Sequence, residues 1–396
     1  MSTQDMIDRV KKEMEEQYGK GIKNTGETRQ TSYSNDSRLG CFERVEDAIS
    51  AAKESQKQLM ELSMAKRKKI IAAMRQASLD NAEKLAIMAH EETGFGRVAD
   101  KIIKNVLAAE KTPGTEDLES KAFTGDDGMT LIELAPFGVI GSITPSTNPS
   151  STVINNSISM VAAGNGVVYN PHPHAKKVCL ETISILNKAI SEAGGPKELL
   201  TAPITPTMDT SKVIMTHKDI RMLAVTGGEA VVEIAMKSGK KCIAAGPGNP
   251  PVIVDETANI AKAGSDIVKG SGFDNNVLCI AEKEAFVVNS VFNELVSEMV
   301  RNGAYELKRH EIDIVTKEVF TTNKKGETVV NRNYVGKLPS VILKACGIPV
   351  HSDVKLIIAE VDASHPFINI EMLMPVFGMV RVYSVDEAIE KAVIAE

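Results

Sequence analysis

Tryptophan is absent from this 396-residue chain, and aromatic side chains make up only 4% of it. That scarcity disfavours a β-sandwich, whose facing sheets lean on aromatic packing, and favours an α/β architecture. The five cysteines, Cys41, Cys179, Cys242, Cys279 and Cys346, stand singly with no CxxC pair. Such spacing argues against a disulfide framework and a zinc site, and for a reducing compartment. There is no basic block and no interleaving of basic and aromatic residues, and the formal net charge is −6. Nucleic acid is therefore not an expected partner. No apolar run has the length of a membrane span and no secretory h-region opens the chain, so the expectation is a cytoplasmic protein with no membrane partner.

What remains is 43% hydrophobic and 25% charged, ordinary globular composition with enough length for two domains. Residues 1–20 form a small amphipathic unit in which Met6, Ile7, Val10, Met14 and Tyr18 share one helical face. A polar linker follows over residues 21–40. A tethered helix of this kind reads either as a frayed terminus or as a peptide that docks on a partner protein. Residues 44–110 read as consecutive helices, and short extended pieces follow, including "MTLIELAPFGVIGSITP". From there strands and helices alternate. "GNGVVYN" is a strand and "AKKVCLETISILNKAISEAGG" a helix; "IRMLAVTGG" is a strand and "EAVVEIAMKSG" a helix. "KCIAAG", read as buried, and "PPVIVD" are strands, "TANIAKAGSDIVKG" is a helix, and Cys279 opens the strand "CIAEKEAFVV". That rhythm predicts βαβ units and parallel sheets, an α/β fold. Ser384 and Glu387 form a capping box for a last helix in which the chain stops at Glu396, so the C-terminus reads as truncated.

Four stretches besides the cysteine carry chemistry. In "ITPSTNPSS" two prolines flank Asn148 after a strand. Its amide either caps the next helix as an Asx turn or donates a hydrogen bond to a developing oxyanion. In "AVTGGEAVV" a strand delivers Thr226, Gly227 and Gly228 to a helix N-terminus, where free N–H groups favour phosphate. "AAGPGNPP" is a tight turn with no ionisable group, and Glu371 stands just before a Met-Pro turn, an odd place for a lone carboxylate. Of the cysteines, only Cys279 follows a polar "FDNN" loop where a thiolate can be partly exposed; the others read as packing or surface thiols.

The order and spacing of Asn148, Thr226-Gly227-Gly228, the Gly-Pro-Gly turn, Cys279 and Glu371-x-x-Met-Pro resemble the aldehyde dehydrogenase superfamily. "PSTNPSSTVINNSISMVAAGN", "VTGGEAVVE", "AAGPGNPPVIVDETA" and "FDNNVLCIAEKEAFVV" are similar to its CoA-acylating branch, closest to the propionaldehyde and acetaldehyde dehydrogenases of bacterial microcompartments. The resemblance implies an aldehyde dehydrogenase-like fold. A Rossmann-type NAD- and CoA-binding domain would span residues 41–250, with an oligomerisation hairpin near 115–136, and a catalytic domain 251–396. It makes Cys279 the nucleophile and Asn148 the oxyanion donor. It sets Thr144, Pro145, His172, Pro173, Thr226, Gly227, Gly228 and Glu371 along the cofactor. A homodimer or homotetramer is expected, inside a microcompartment, with residues 1–20 binding a shell protein. Hydrolytic members carry a glutamate base where this chain has Ala245, and without it a thiol is the better acceptor of the acyl group. The implied reaction is a short aldehyde, NAD and coenzyme A going to acyl-CoA and NADH. Two alternatives stay open: an acyl-phosphate reductase of the same fold, and a truncated chain serving mainly in assembly.

Overall fold

The structure is a computed structural model that describes residues 39–350 and 353–396. The expected targeting helix and the linker as far as residue 38 lie outside the described residues. The chain divides into two compact units. One comprises residues up to Glu92, Val98–Thr226 and Val231–Ala244; the other comprises Thr93–Arg97, Gly227–Ala230 and Ala245–Glu396.

The strands of the first unit are, in chain order, β1 (Cys41–Phe42), β2 (Lys121–Gly125), β3 (Gly128–Ile132), β4 (Val139–Thr144), β5 (Gly166–Pro171), β6 (Leu200–Pro203), β7 (Ile220–Thr226) and β8 (Lys241–Ala245). Six of them form one sheet in the order β1-β6-β5-β4-β7-β8. The pairs β1/β6, β5/β6, β4/β5 and β4/β7 are parallel. Parallel neighbours need crossovers, and helices Pro149–Ala162, Lys176–Glu192 and Met208–Thr216 supply them. Every residue of β4 and β5 is buried, which is why β4 reads as an unbroken run of small and β-branched residues and neither strand alternates polar with apolar. β8 differs from expectation: it is an edge strand with alternating exposure, so Cys242 is half-buried. A strand with one open flank and no layer over one face cannot bury both its faces. β2 and β3 form a separate antiparallel hairpin, exposed along both strands.

In the second unit β9 (Pro251–Val254), β10 (Glu284–Val288), β11 (Ala304–Glu306), β14 (Leu356–Glu360) and β15 (Val376–Val382) form a sheet in the order β11-β14-β15-β10-β9. All its pairings are parallel. β12 (Phe320–Thr322) and β13 (Thr328–Val330) make a small antiparallel pair beside it. Phe286, Phe292, Phe367 and Phe377 are fully buried in its core. Helix Val385–Ala395 packs on β9 and β10, and its Ser384 cap accepts from Glu387 N at 3.2 Å. One expectation fails here. Cys279 does not open a strand; β10 begins at Glu284, which pairs with Pro251. Side-chain bonds hold residues 277–283 in a turn, so the ladder starts only where those bonds end.

Candidate active site

In the first unit the strand order turns back on itself between β4 and β7. β5 and β6 lie to one side of β4, and β7 and β8 to the other. Ligands of open parallel sheets bind at the carboxyl ends of strands flanking such a switch point, because no helix covers the gap there. The carboxyl ends belong to Thr144 of β4, Pro171 of β5 and Thr226 of β7. Thr144 is buried, and its carbonyl accepts from His172 N at 3.1 Å. Pro145 follows Thr144 directly, and Pro173 starts a single 3-10 turn after His172, whose Nδ1 accepts from His174 N at 3.2 Å. The adjacent helix N-terminus at Lys176 is already filled: Glu92 accepts from Lys177 N and Val178 N, each at 2.9 Å. The turn after β7 remains open. A Cβ on Gly228 would meet nothing within 4 Å.

Asn148 occupies the N-cap position of helix Pro149–Ala162, yet its side chain makes no cap bond. That removes the Asx-cap reading. Instead Oδ1 accepts from the Lys104 ammonium at 2.7 Å, and Nδ2 donates to Thr147 Oγ1 at 3.1 Å. An ammonium can only donate, so Lys104 decides which end of the amide is oxygen and leaves N–H donors on the other. Lys104 is buried on helix Val98–Lys111, which packs against the helix that Asn148 starts.

Cys279 sits in the second unit, half-buried, in a turn behind "FDNN". Asp274, Asn275 and Asn276 are all left-handed, with φ of 49°, 54° and 60°. Three consecutive left-handed residues cost roughly 1–2 kcal/mol each, least for Asp and Asn, whose short polar side chains bond locally. Each is fastened. Asp274 Oδ1 accepts from Arg97 N at 2.7 Å, Asn275 Nδ2 donates to Gly336 O at 2.9 Å, and Asn276 Nδ2 donates to Ser271 O and Glu282 O. The turn 246–250 lies on the other side: a Cβ on Gly248 would fall 2.8 Å from the Cys279 carbonyl oxygen. The same glycine donates its N–H to Glu371. One glycine thus touches both the cysteine and the carboxylate. Burial pushes Glu371 above the usual carboxylate range, opposed by the Lys283 charge and that N–H. Its Oε1 is buried and has no hydrogen-bond partner among the described residues.

Three of the other thiols, Cys179, Cys242 and Cys346, are poor nucleophiles. Burial pushes Cys179 up to about 12 and Cys346 up to about 11, and raises Cys242 as well. Only the thiolate attacks, so these groups are inert at neutral pH. No cluster of three His, Cys, Asp or Glu side chains suits a metal among the described residues, and none of their helices is long and apolar enough to cross a membrane. Two contributors escaped the sequence reading, Lys104 and Lys283. A lysine gives no local signal in the sequence that it will be buried.

The family model described as "Aldehyde dehydrogenase family" matches residues 32–309. An acetaldehyde dehydrogenase (acetylating) of Bilophila wadsworthia is 49% identical over 365 residues, covering 90% of this chain and 75% of that protein. Among solved structures, a propionaldehyde dehydrogenase from the fucose utilisation microcompartment of Clostridium phytofermentans is similar with a TM-score of 0.86 and 49% identity, covering 90% of this chain and 81% of that one. A Rhodopseudomonas palustris propionaldehyde dehydrogenase with bound CoA and an acylated cysteine gives 0.86 and 44% identity, with the same coverages of 90% and 81%.

Proposed function

Because this chain belongs to the aldehyde dehydrogenase family, we propose that it oxidises a short aliphatic aldehyde and passes the acyl group to coenzyme A. The observation that carries this reading is the Cys279 turn. It is the half-buried thiol set on a strained, fully fastened segment, with an orphan carboxylate oxygen of Glu371 joined to it through Gly248. Such over-determined backbone is found where an attacking atom must be held still.

The Cys279 thiolate attacks the aldehyde carbonyl carbon, and the carbonyl oxygen becomes an oxyanion. The Asn148 N–H, oriented by Lys104, donates to that oxygen. Loss of hydride from the thiohemiacetal carbon leaves a thioester on the cysteine sulfur. NAD, when bound, supplies the hydride acceptor. The residues fit it: Glu371 Oε1 is a buried acceptor awaiting a ribose hydroxyl, and the Gly227-Gly228 turn after Thr226 has room for a phosphate. Thr144, Pro145, His172 and Pro173 lie at or just beyond the strand ends, where the rest of the dinucleotide or coenzyme A is expected to run. The coenzyme A thiol then attacks the thioester carbonyl and Cys279 leaves as thiolate. Ala245 offers no base to activate water, whereas a thiol is nucleophilic without one. The acylated cysteine and bound CoA of the Rhodopseudomonas relative support this order of events.

The same reading assigns cofactor binding to residues 41–250 and thioester chemistry to 251–396, with the exposed hairpin of β2 and β3 as an oligomer contact. It further assigns a microcompartment address to residues 1–20, which a pull-down with shell proteins, with and without those residues, would test. The decisive assay follows NADH from propionaldehyde and NAD with and without coenzyme A. The expected rate depends on coenzyme A and disappears in Cys279→Ala with the fold intact. Equal rates without coenzyme A would refute the acylating step.

A further inference from the structure

Lys283 has no part in the scheme above, yet it is only 4% exposed. Its ammonium donates to Asn276 O at 3.1 Å, Asn276 Oδ1 at 2.5 Å and Leu278 O at 2.7 Å. An ammonium has three protons and no acceptor, so these three oxygens match it completely. All three belong to the end of the left-handed run and to the residue before Cys279. Asn276 closes the loop from the other direction, since its Nδ2 donates to Ser271 O and Glu282 O. One lysine and one asparagine therefore tie both flanks of the cysteine turn together. The titratable groups whose charges act on the ammonium are Glu371, Cys279, Glu284 and Glu282.

We propose that Lys283 is a positioning residue of the acyl-transfer site: its ammonium clamps residues 276–278 behind Cys279 and keeps a buried positive charge beside that turn. The proposal rests on the reading of Cys279 as nucleophile and Glu371 as ribose acceptor. Two physical arguments carry it. The left-handed run is unfavourable by itself and needs an outside tie, which a three-point donor provides. A buried cation beside a thiol and a carboxylate favours the ionised form of each, the form both need here. Burial pulls Lys283 down to about 8, which still leaves it protonated at neutral pH. Arginine cannot replace it, because a planar fork does not fit three acceptors gathered about one point.

The test uses full-length Lys283→Met and Lys283→Arg, with thermal melting, CoA-dependent turnover, KM for NAD, and the rate at which iodoacetamide alkylates Cys279 near neutral pH. In Lys283→Met the alkylation rate is expected to fall at least about tenfold and kcat about a hundredfold, with KM for NAD raised. Lys283→Arg keeps the charge but not the clamp. Its alkylation is expected within about threefold of the parent while kcat falls at least about tenfold. A folded Lys283→Met that alkylates and turns over like the parent overturns the proposal. So does Lys283→Arg with parental kcat, and that second result decides the matter if Lys283→Met does not fold. If the variants alkylate relative to the parent as expected but the parent forms no NADH from aldehyde and coenzyme A, the functional reading fails and the clamp stands.

Discussion

Asn148 offers a substitution in which stability and activity should move apart. Its side chain makes no helix-cap bond, so its two structural contacts are the bond from Lys104 at 2.7 Å and the one to Thr147 at 3.1 Å. Asn148→Asp keeps the shape and turns the bond from the Lys104 ammonium, already charge-assisted, into a full ion pair. It also replaces every N–H of the amide by a bare oxygen. If Asn148 donates to the oxyanion, kcat should fall about 100- to 1000-fold, the loss of about 3–4 kcal/mol that follows removal of one such donor. The negative charge in that place would push the fall toward the upper end. Melting should be unchanged or higher. Asn148→Ala should lose activity to a similar extent but also melt earlier, since a buried ammonium loses one acceptor at a cost of about 1–3 kcal/mol. The assay is CoA-dependent NADH formation alongside thermal melts of the three proteins. Asn148→Asp retaining more than about a tenth of parental turnover would refute the oxyanion role and leave Asn148 a structural residue.

Gly248→Ala places a methyl 2.8 Å from the Cys279 carbonyl oxygen, so the turn or the cysteine must shift. Overpacking of this kind costs about 1–3 kcal/mol, and turnover should drop by about a hundredfold because the nucleophile moves; unchanged kinetics would contradict the contact. Glu284 is fully buried, neither carboxylate oxygen has a hydrogen-bond partner among the described residues, and burial pushes it up to about 8. An acid raised in this way keeps its proton in the folded state after the unfolded chain has lost it. Its contribution to stability is therefore lost as pH rises from about 4.5 toward 8, at about 1.4 kcal/mol per unit. Glu284→Met should accordingly gain stability over the parent, and the gap in melting temperature should widen from about pH 5 to about pH 8. A gap independent of pH would show that Glu284 ionises freely.

Much of the fold could be read from local pattern. The largely apolar runs of β4, β5 and β7 and the amphipathic stretches between them announced parallel strands and crossovers. The turn residues at their ends marked where the strands stop. The two failures were also local in origin. "CIAEKEAFVV" has the composition of one strand, but the side-chain bonds of Asn276 and Lys283 hold its first part in a turn. "KCIAAG" has the composition of a buried strand, but its place at the sheet edge exposes alternate residues.

The sequence by itself determined which cysteine follows the polar loop, the absence of a glutamate at Ala245 and the broad alternation of strands and helices. These depend on residue type and on periods of two and 3.6, which neighbours along the chain impose. Only the tertiary structure decided that "DNN" is a left-handed run, that Lys104 aims the Asn148 amide and that Lys283 stands behind Cys279. The fate of a charged side chain depends on which acceptors the rest of the chain brings to it. "KIIKNVL" and "AEKEAF" each show a lysine that looks fit for solvent. Burial puts both against oxygen atoms, and there an ordinary surface residue becomes part of the site's geometry.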